Sequence, residues 1–126
     1  MPRYVVLRHE CPPGSERPSH WDLMLDAGDV LRTWALGESP DSGGVRPAER
    51  LADHRREYLT YEGPISGGRG SVSRWDEGTF REVSTETNAG TIDFDLEGNR
   101  LRGRGCLACD GERWTFEYRP SESRLV

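Results

Sequence analysis

Ser19-His20-Trp21-Asp22-Leu23-Met24-Leu25-Asp26 is the stretch that decides the fold. Its polar and apolar residues alternate with a period of two, which predicts a β-strand. Trp21, Leu23 and Leu25 then face a core, and His20, Asp22 and Met24 face the other way. The second face carries an imidazole beside a carboxylate. That pair suits a divalent metal or acid–base chemistry, and it equally suits the wetted face of an edge strand.

Outward from this strand, turn signals divide the chain at short intervals. Tyr4-Val5-Val6-Leu7 predicts a buried strand that ends in Arg8-His9-Glu10. Cys11 to Ser19 holds three prolines and a glycine, so it reads as a loop that returns the chain to His20 and lets His9 approach it. Ala27-Gly28-Asp29 predicts a hairpin into Val30–Leu36, and Gly37–Gly44 a polar loop. Ala48–Leu59 is the best helix candidate, with Leu51, His54 and Tyr58 at helical spacing on one face. Gly67-Gly68-Arg69-Gly70 reads as a turn, because no helix pattern follows it to make a phosphate cradle. Ser71–Asp76, Thr79–Val83, Thr91–Leu96, Arg100–Gly103, a strand beginning at Leu107, and Trp114–Tyr118 complete the series. Glu77-Gly78 and Asp110-Gly111 are the turns between, and Pro120–Val126 is a tail. The pattern predicts a mainly β fold: a small closed antiparallel β-barrel of about eight strands with one or two short helices.

The 126 residues predict one domain spanning 1–126. No apolar run approaches the length of a membrane span, and the formal net charge of -5 disfavours a generic polyanion binder. All 17 basic residues are arginine, which excludes lysine Schiff bases, nucleotidyl-lysine intermediates and the lysine of a P-loop. Cys11, Cys106 and Cys109, with no leader pattern ahead of them, predict reduced thiols in a cytoplasmic, monomeric protein. Cys106-Leu107-Ala108-Cys109 has the spacing of half a zinc site, but a cysteine-only site would need Cys11 and a further ligand.

Only three histidines occur, and each stands beside a carboxylate: His9-Glu10, His20-Trp21-Asp22 and Asp53-His54. Two imidazoles and a carboxylate form a familiar transition-metal set that leaves coordination positions for water and substrate. His54 and Tyr58, four apart on the predicted helix, would share a face, either packing on the barrel or contacting a phosphate.

The order of these motifs is informative. Val5–His9, His20–Asp26, Val30–Leu36, Asp53–Tyr58 with Tyr61-Glu62-Gly63, and Gly70–Phe80 together resemble the 3′-phosphoesterase domain of bacterial ligase D. The resemblance implies a compact β-barrel with a metal at one end, usually manganese, with zinc or cobalt as alternatives. It implies trimming of nucleic-acid 3′ ends (removal of a terminal ribonucleoside, then of the 3′-phosphate) and a DNA ligase or polymerase as partner. His9, His20 and Asp22 match the metal ligands, and His54 and Tyr58 match residues that act on the phosphate. Arg50 or Arg46 stands near a further family arginine. Arg8, Arg32 and Arg69 are other nearby cations, and Arg50 and Arg32 are expected to bind substrate.

Two positions depart from the family. Met24 stands where the family strand has arginine, and Glu38 where it has a phosphate-binding lysine. Each lost cation removes charge-assisted hydrogen bonds worth roughly 1.5–3 kcal/mol. The alternative expectation is therefore a non-catalytic module that kept the metal and phosphate sites but lost turnover.

Overall fold

The computed structural model describes residues 2–84 and 90–121. Its strands are β1 (Arg3–Glu10), β2 (His20–Asp26), β3 (Leu31–Leu36), β4 (Arg46–His54), β5 (Gly63–Pro64), β6 (Ser71–Ser84), β7 (Thr91–Gly98), β8 (Arg102–Asp110) and β9 (Arg113–Pro120). Eight of them close antiparallel in the order β1-β2-β3-β4-β9-β8-β7-β6, with β6 pairing back onto β1; the two-residue β5 adds to β6. Closure leaves no long exposed edge. The expected eight-stranded barrel is therefore the observed one. No described helix is long and apolar enough to cross a membrane.

The barrel interior is filled from nearly every strand. Tyr4 and Val6, Leu23 and Leu25, Trp34 and Leu36, Ala48, Phe80, Phe94 and Leu96, Leu107, and Phe116 with Tyr118 form one buried cluster. A second, smaller cluster lies on the opposite face of β1–β3: Val5, Leu7, Met24, Leu31, Leu59 and Val72, with Tyr58 and Ile65 packed against it. The face expected to be polar is therefore covered by the segment that follows β4.

The helix expected over Ala48–Leu59 does not form. Arg46–His54 is strand β4, and only a single 3-10 turn, Arg56–Leu59, follows it. These residues fill the gap between β3 and β9, which barrel closure requires. Their period of two is disguised, because two of the inward positions are arginines lying on aromatic rings. The Arg46 guanidinium is 5.8 Å from the Phe116 ring centroid and that of Arg50 is 4.6 Å from Trp34, with Ala48 buried between them.

The turn expected at Glu77-Gly78 is also absent, since β6 runs unbroken from Ser71 to Ser84. It pairs with β1 along its first half and with β7 along its second, and Gly78 lies opposite both Tyr4 and Gly98. A side chain at Gly78 would collide with the backbone of Glu97 and Gly98, so this residue keeps a barrel corner closed rather than reversing the chain. Nor does a break separate Gly103 from Leu107, because β8 runs unbroken from Arg102 to Asp110; Arg100 and Leu101 lie in the turn before it. In β6 the pairing register shifts between Val6↔Asp76 and Leu7↔Arg74, leaving Trp75 as an extra residue. The bulge sends Val72 to the outer cluster and Asp76 and Phe80 inward. Of the expected tail, Pro120 ends β9, and residues 122–126 lie outside the described residues.

Candidate metal centre

His9 and His20 are the last cross-strand pair of the β1–β2 ladder, and Leu7↔Asp22 lies one step inward on the same face. The rings of His9 and His20 are 4.8 Å apart. Each imidazole has one nitrogen committed to a backbone carbonyl. His9 Nε2 donates to the Arg69 carbonyl at 2.8 Å, and His20 Nδ1 donates to the Pro18 carbonyl at 2.9 Å. A carbonyl can only accept, so these nitrogens carry the protons. In the neutral rings, His9 Nδ1 and His20 Nε2 therefore present lone pairs.

Both lone pairs face Asp22. His20 Nε2 lies 3.0 Å from Asp22 Oδ1, and His9 Nδ1 lies 3.6 Å from Oδ2. Asp22 is 3% exposed and His20 4%, so neither is a wetted strand residue. Asp22 Oδ1 is buried without a hydrogen-bond donor. Two lone pairs and an orphaned carboxylate oxygen repel unless a cation lies among them, either protons on the imidazoles or a metal. The donor set fits a divalent transition metal. In the metal-free protein Asp22 and His9 each favour the other's charged form. The Asp22 carboxylate holds the His9 imidazole above its usual range, outweighing burial. Burial is the largest influence on Asp22 and pushes it up, but His20 and His9 together outweigh it and hold its carboxyl below the usual range.

Backbone fit fixes the loop that orients His9. Gly70 has φ +95°, and a side chain there would collide with the Glu10 carbonyl, so the turn carrying Arg69 lies tightly against the end of β1.

His54 and Tyr58 form a second group, brought together by strand and turn rather than by a helix. His54 ends β4 opposite Leu31, its Nδ1 donates to the Ala52 carbonyl at 2.8 Å, and its ring meets Tyr58 edge-on with centroids 5.6 Å apart. No hydrogen bond among the described residues joins this group to His9, His20 or Asp22. Met24 lies between them, two residues beyond Asp22 on the same face, in the apolar cluster that Tyr58 packs against.

Met24 is 1% exposed, which gives the departure from the family a physical meaning. An arginine there would carry its charge into a patch formed by Val5, Leu7, Leu31, Leu59 and Val72. We expect Met24→Arg to lose about 3 kcal/mol of stability rather than to restore phosphate binding. Denaturant unfolding checks this, and a variant as stable as the parent chain would show that the patch opens. Glu38 does not point into the site: it is exposed and lies 3.8 Å from Arg46, whose guanidinium also donates to the Ser39 and Pro40 carbonyls.

The two arginines expected to bind substrate are engaged elsewhere. Arg50 donates to the Thr33 and Leu51 carbonyls and to Asp53. Arg32 lies near the Asp26 end of β2 and β3, away from His20, and donates to Glu82 at 3.1 Å. The cation beside the site is Arg17, in the loop before His20. It makes a forked pair with Glu49 at 2.5 and 3.1 Å, and it is close enough to interact electrostatically with His9 and Asp22. Glu49 lies in register with Ala35 and, through it, with Asp22. Nothing in the local sequence distinguishes Arg17 from the other loop arginines; only the β2–β3–β4 register reveals it. Cys106 and Cys109 are free thiols on β8 and do not join Cys11. Burial, then Asp93, pushes the Cys106 thiol up to about 11.

These features define a small closed β-barrel with a histidine–carboxylate centre on the outer face of its first two strands. The chain belongs to the DNA ligase D 3′-phosphoesterase domain family, whose model matches residues 13–108. That range contains His20, Asp22, His54 and Tyr58; His9 and Cys11 precede it. The chain is 34% identical over 119 residues to the multifunctional non-homologous end joining DNA repair protein LigD of Mycobacterium tuberculosis, covering 88% of this chain and 15% of that protein. It is 30% identical over 110 residues to the multifunctional non-homologous end joining protein LigD of Pseudomonas aeruginosa, covering 81% of this chain and 12% of that one. The chain thus spans less than a sixth of the length of these relatives.

Proposed function

We propose that the chain is a metal-dependent phosphoesterase that processes 3′-phosphate or 3′-ribonucleotide ends of nucleic acid during DNA end joining. The observation that carries this reading is the buried Asp22 carboxylate facing two imidazole lone pairs, His20 Nε2 at its unpartnered Oδ1 and His9 Nδ1 at its Oδ2. His9 Nδ1, His20 Nε2 and Asp22 would hold the ion, with manganese the metal implied by the family resemblance. When bound, such an ion supplies Lewis-acid polarisation of a phosphoryl oxygen and an activated water. The carbonyls of Arg69 and Pro18 fix the ring orientations, so the ligands are ready before any ion arrives.

His54 Nε2 carries no proton in the neutral ring whose Nδ1 donates to Ala52, so it can accept or relay one; Tyr58 offers a hydroxyl beside it. Arg17 supplies positive charge where Met24 does not, by exchanging Glu49 for a phosphate. The relatives' names describe multifunctional end-joining proteins, so a ligase or polymerase is the partner we propose.

The experiment is release of phosphate from an oligonucleotide bearing a 3′-phosphate, with manganese against chelator. We expect turnover that needs the metal. No release at high protein concentration, with metal shown to be bound, would remove the catalytic reading. The burial of Met24 favours a second reading, a module that binds 3′-phosphate ends without turnover. Tight metal-dependent binding of the same oligonucleotide without release would select it.

A further inference from the structure

We infer that Cys11 is a further ligand of this metal centre, joining His9 and His20, and that its thiolate shifts the site's preference toward zinc or cobalt over manganese. The inference rests on the metal reading above and adds a residue that lies outside the span matching the family.

Cys11 directly follows β1, two residues beyond His9 and at the loop end of the His9–His20 pair. The ends of the 11–19 loop are tied together: the Cys11 N–H donates to Ser19 Oγ at 2.9 Å, and His20 is the next residue. The Pro18 carbonyl accepts from His20 Nδ1 at 2.9 Å and also faces Cys11 Sγ at 3.7 Å. One carbonyl thus positions both side chains. As a result, ligand atoms of His9, Cys11 and His20 all lie within 4.8 Å of one another, the one such grouping of possible metal donors among the described residues. The buried, unpartnered Asp22 Oδ1 lies 3.0 Å from His20 Nε2.

Metal–nitrogen bonds of about 2.0–2.1 Å and metal–sulfur bonds of about 2.3 Å put the donors of a tetrahedral site roughly 3.5 Å apart. Contraction from the present spacing of His9, Cys11 and His20 is at most about 1.3 Å, a rotamer-scale adjustment of side chains on a fixed backbone. Binding displaces the thiol proton to solvent and ends the contact with Pro18, leaving that carbonyl to His20 alone. A thiolate is a soft donor and disfavours manganese.

The test uses the full chain, kept reduced with a non-thiol reductant and titrated with cobalt(II). We expect visible ligand-field bands together with a near-ultraviolet sulfur-to-cobalt charge-transfer band. Cys11→Ser should lose the charge-transfer band, keep ligand-field bands, and bind zinc about 10- to 100-fold more weakly. The double variant Cys106→Ser, Cys109→Ser should keep the band. Cobalt bound without a charge-transfer band, or a band that survives Cys11→Ser, would overturn the inference and leave the metal centre standing. No cobalt or zinc bound at all would overturn both.

Discussion

Replacing Asp76 with alanine should cost about 4 kcal/mol of folding stability, more than any substitution at the metal centre. Asp76 is 2% exposed and its carboxylate accepts four hydrogen bonds. Oδ1 takes the backbone N–H of Asn99 at 2.9 Å and of Arg100 at 2.8 Å; Oδ2 takes the N–H of Leu101 at 3.0 Å and the hydroxyl of Tyr4 at 2.5 Å. One side chain of β6 thus closes the β7–β8 turn and ties it to β1. Alanine leaves the Leu101 N–H and the Tyr4 hydroxyl buried without an acceptor, at roughly 1–3 kcal/mol each, while water can reach the two turn residues. Tyr4→Phe removes one donor only and should cost about 1–2 kcal/mol. Gly98 belongs to the same corner, since a side chain there would collide with the Tyr4 hydroxyl. Denaturant unfolding of the two variants checks the ranking; equal losses would mean that the turn is closed by something other than Asp76. The corner also has a pH signature. Burial, then Asp76, raises the Tyr4 hydroxyl far above its ordinary range. The unfolded chain ionises near pH 10 and the folded one does not, so this stability is complete below about pH 10 and is lost as pH rises further. Tyr4→Phe should flatten that alkaline loss.

His20→Ala should abolish stoichiometric metal binding and lower metal-dependent phosphate release by roughly 100-fold or more, since even groups that only support a ligand are worth 10- to 100-fold. The effect is large because His20 contributes more than a ligand atom. It is the residue nearest Asp22 Oδ1, and its other nitrogen shares the Pro18 carbonyl that steadies Cys11. The barrel interior does not include His20, so the variant should stay folded. Metal content of the purified protein and activity per chain are the two measurements; full metal occupancy at unchanged activity would remove His20 from the centre. In the unaltered chain, metal affinity should rise with pH through the range where His9 deprotonates. Asp22 holds that imidazole protonated to higher pH than usual, and the ion must displace the proton.

Much of this molecule is legible in its residues. The alternation of 20–26 gives β2 and its two faces, the glycine turns give the hairpins, and cross-strand pairing of His9 with His20 follows from a loop that reverses the chain. What is hidden has definite causes. β4 looks helical because Arg46 and Arg50 occupy inward positions and reach aromatic rings through their stems. His54 and Tyr58 do meet, but through a strand end and a 3-10 turn, so their spacing of four suggested the right contact by the wrong geometry. Met24 faces the ligands' side as alternation requires, yet Leu59 and Val72 arrive from distant segments to bury it. Asp76, Arg17 and Cys11 owe their roles to register and loop closure, which no local pattern carries.

The extra residue at Trp75 has a consequence for how this chain tolerates change in length. Before it, β6 contributes to the covering of the face that carries His20 and Asp22; after it, to the packed lumen. Loss or gain of one residue there would exchange indoors and outdoors for everything downstream until the next turn, placing Asp76 in the wrong compartment and uncapping the Asn99–Leu101 reversal. The 37–45 connection can lengthen or shorten with far smaller penalty. Insertions and deletions in working variants should therefore collect in that loop, and the stretch from Val72 to Phe80 should keep its count.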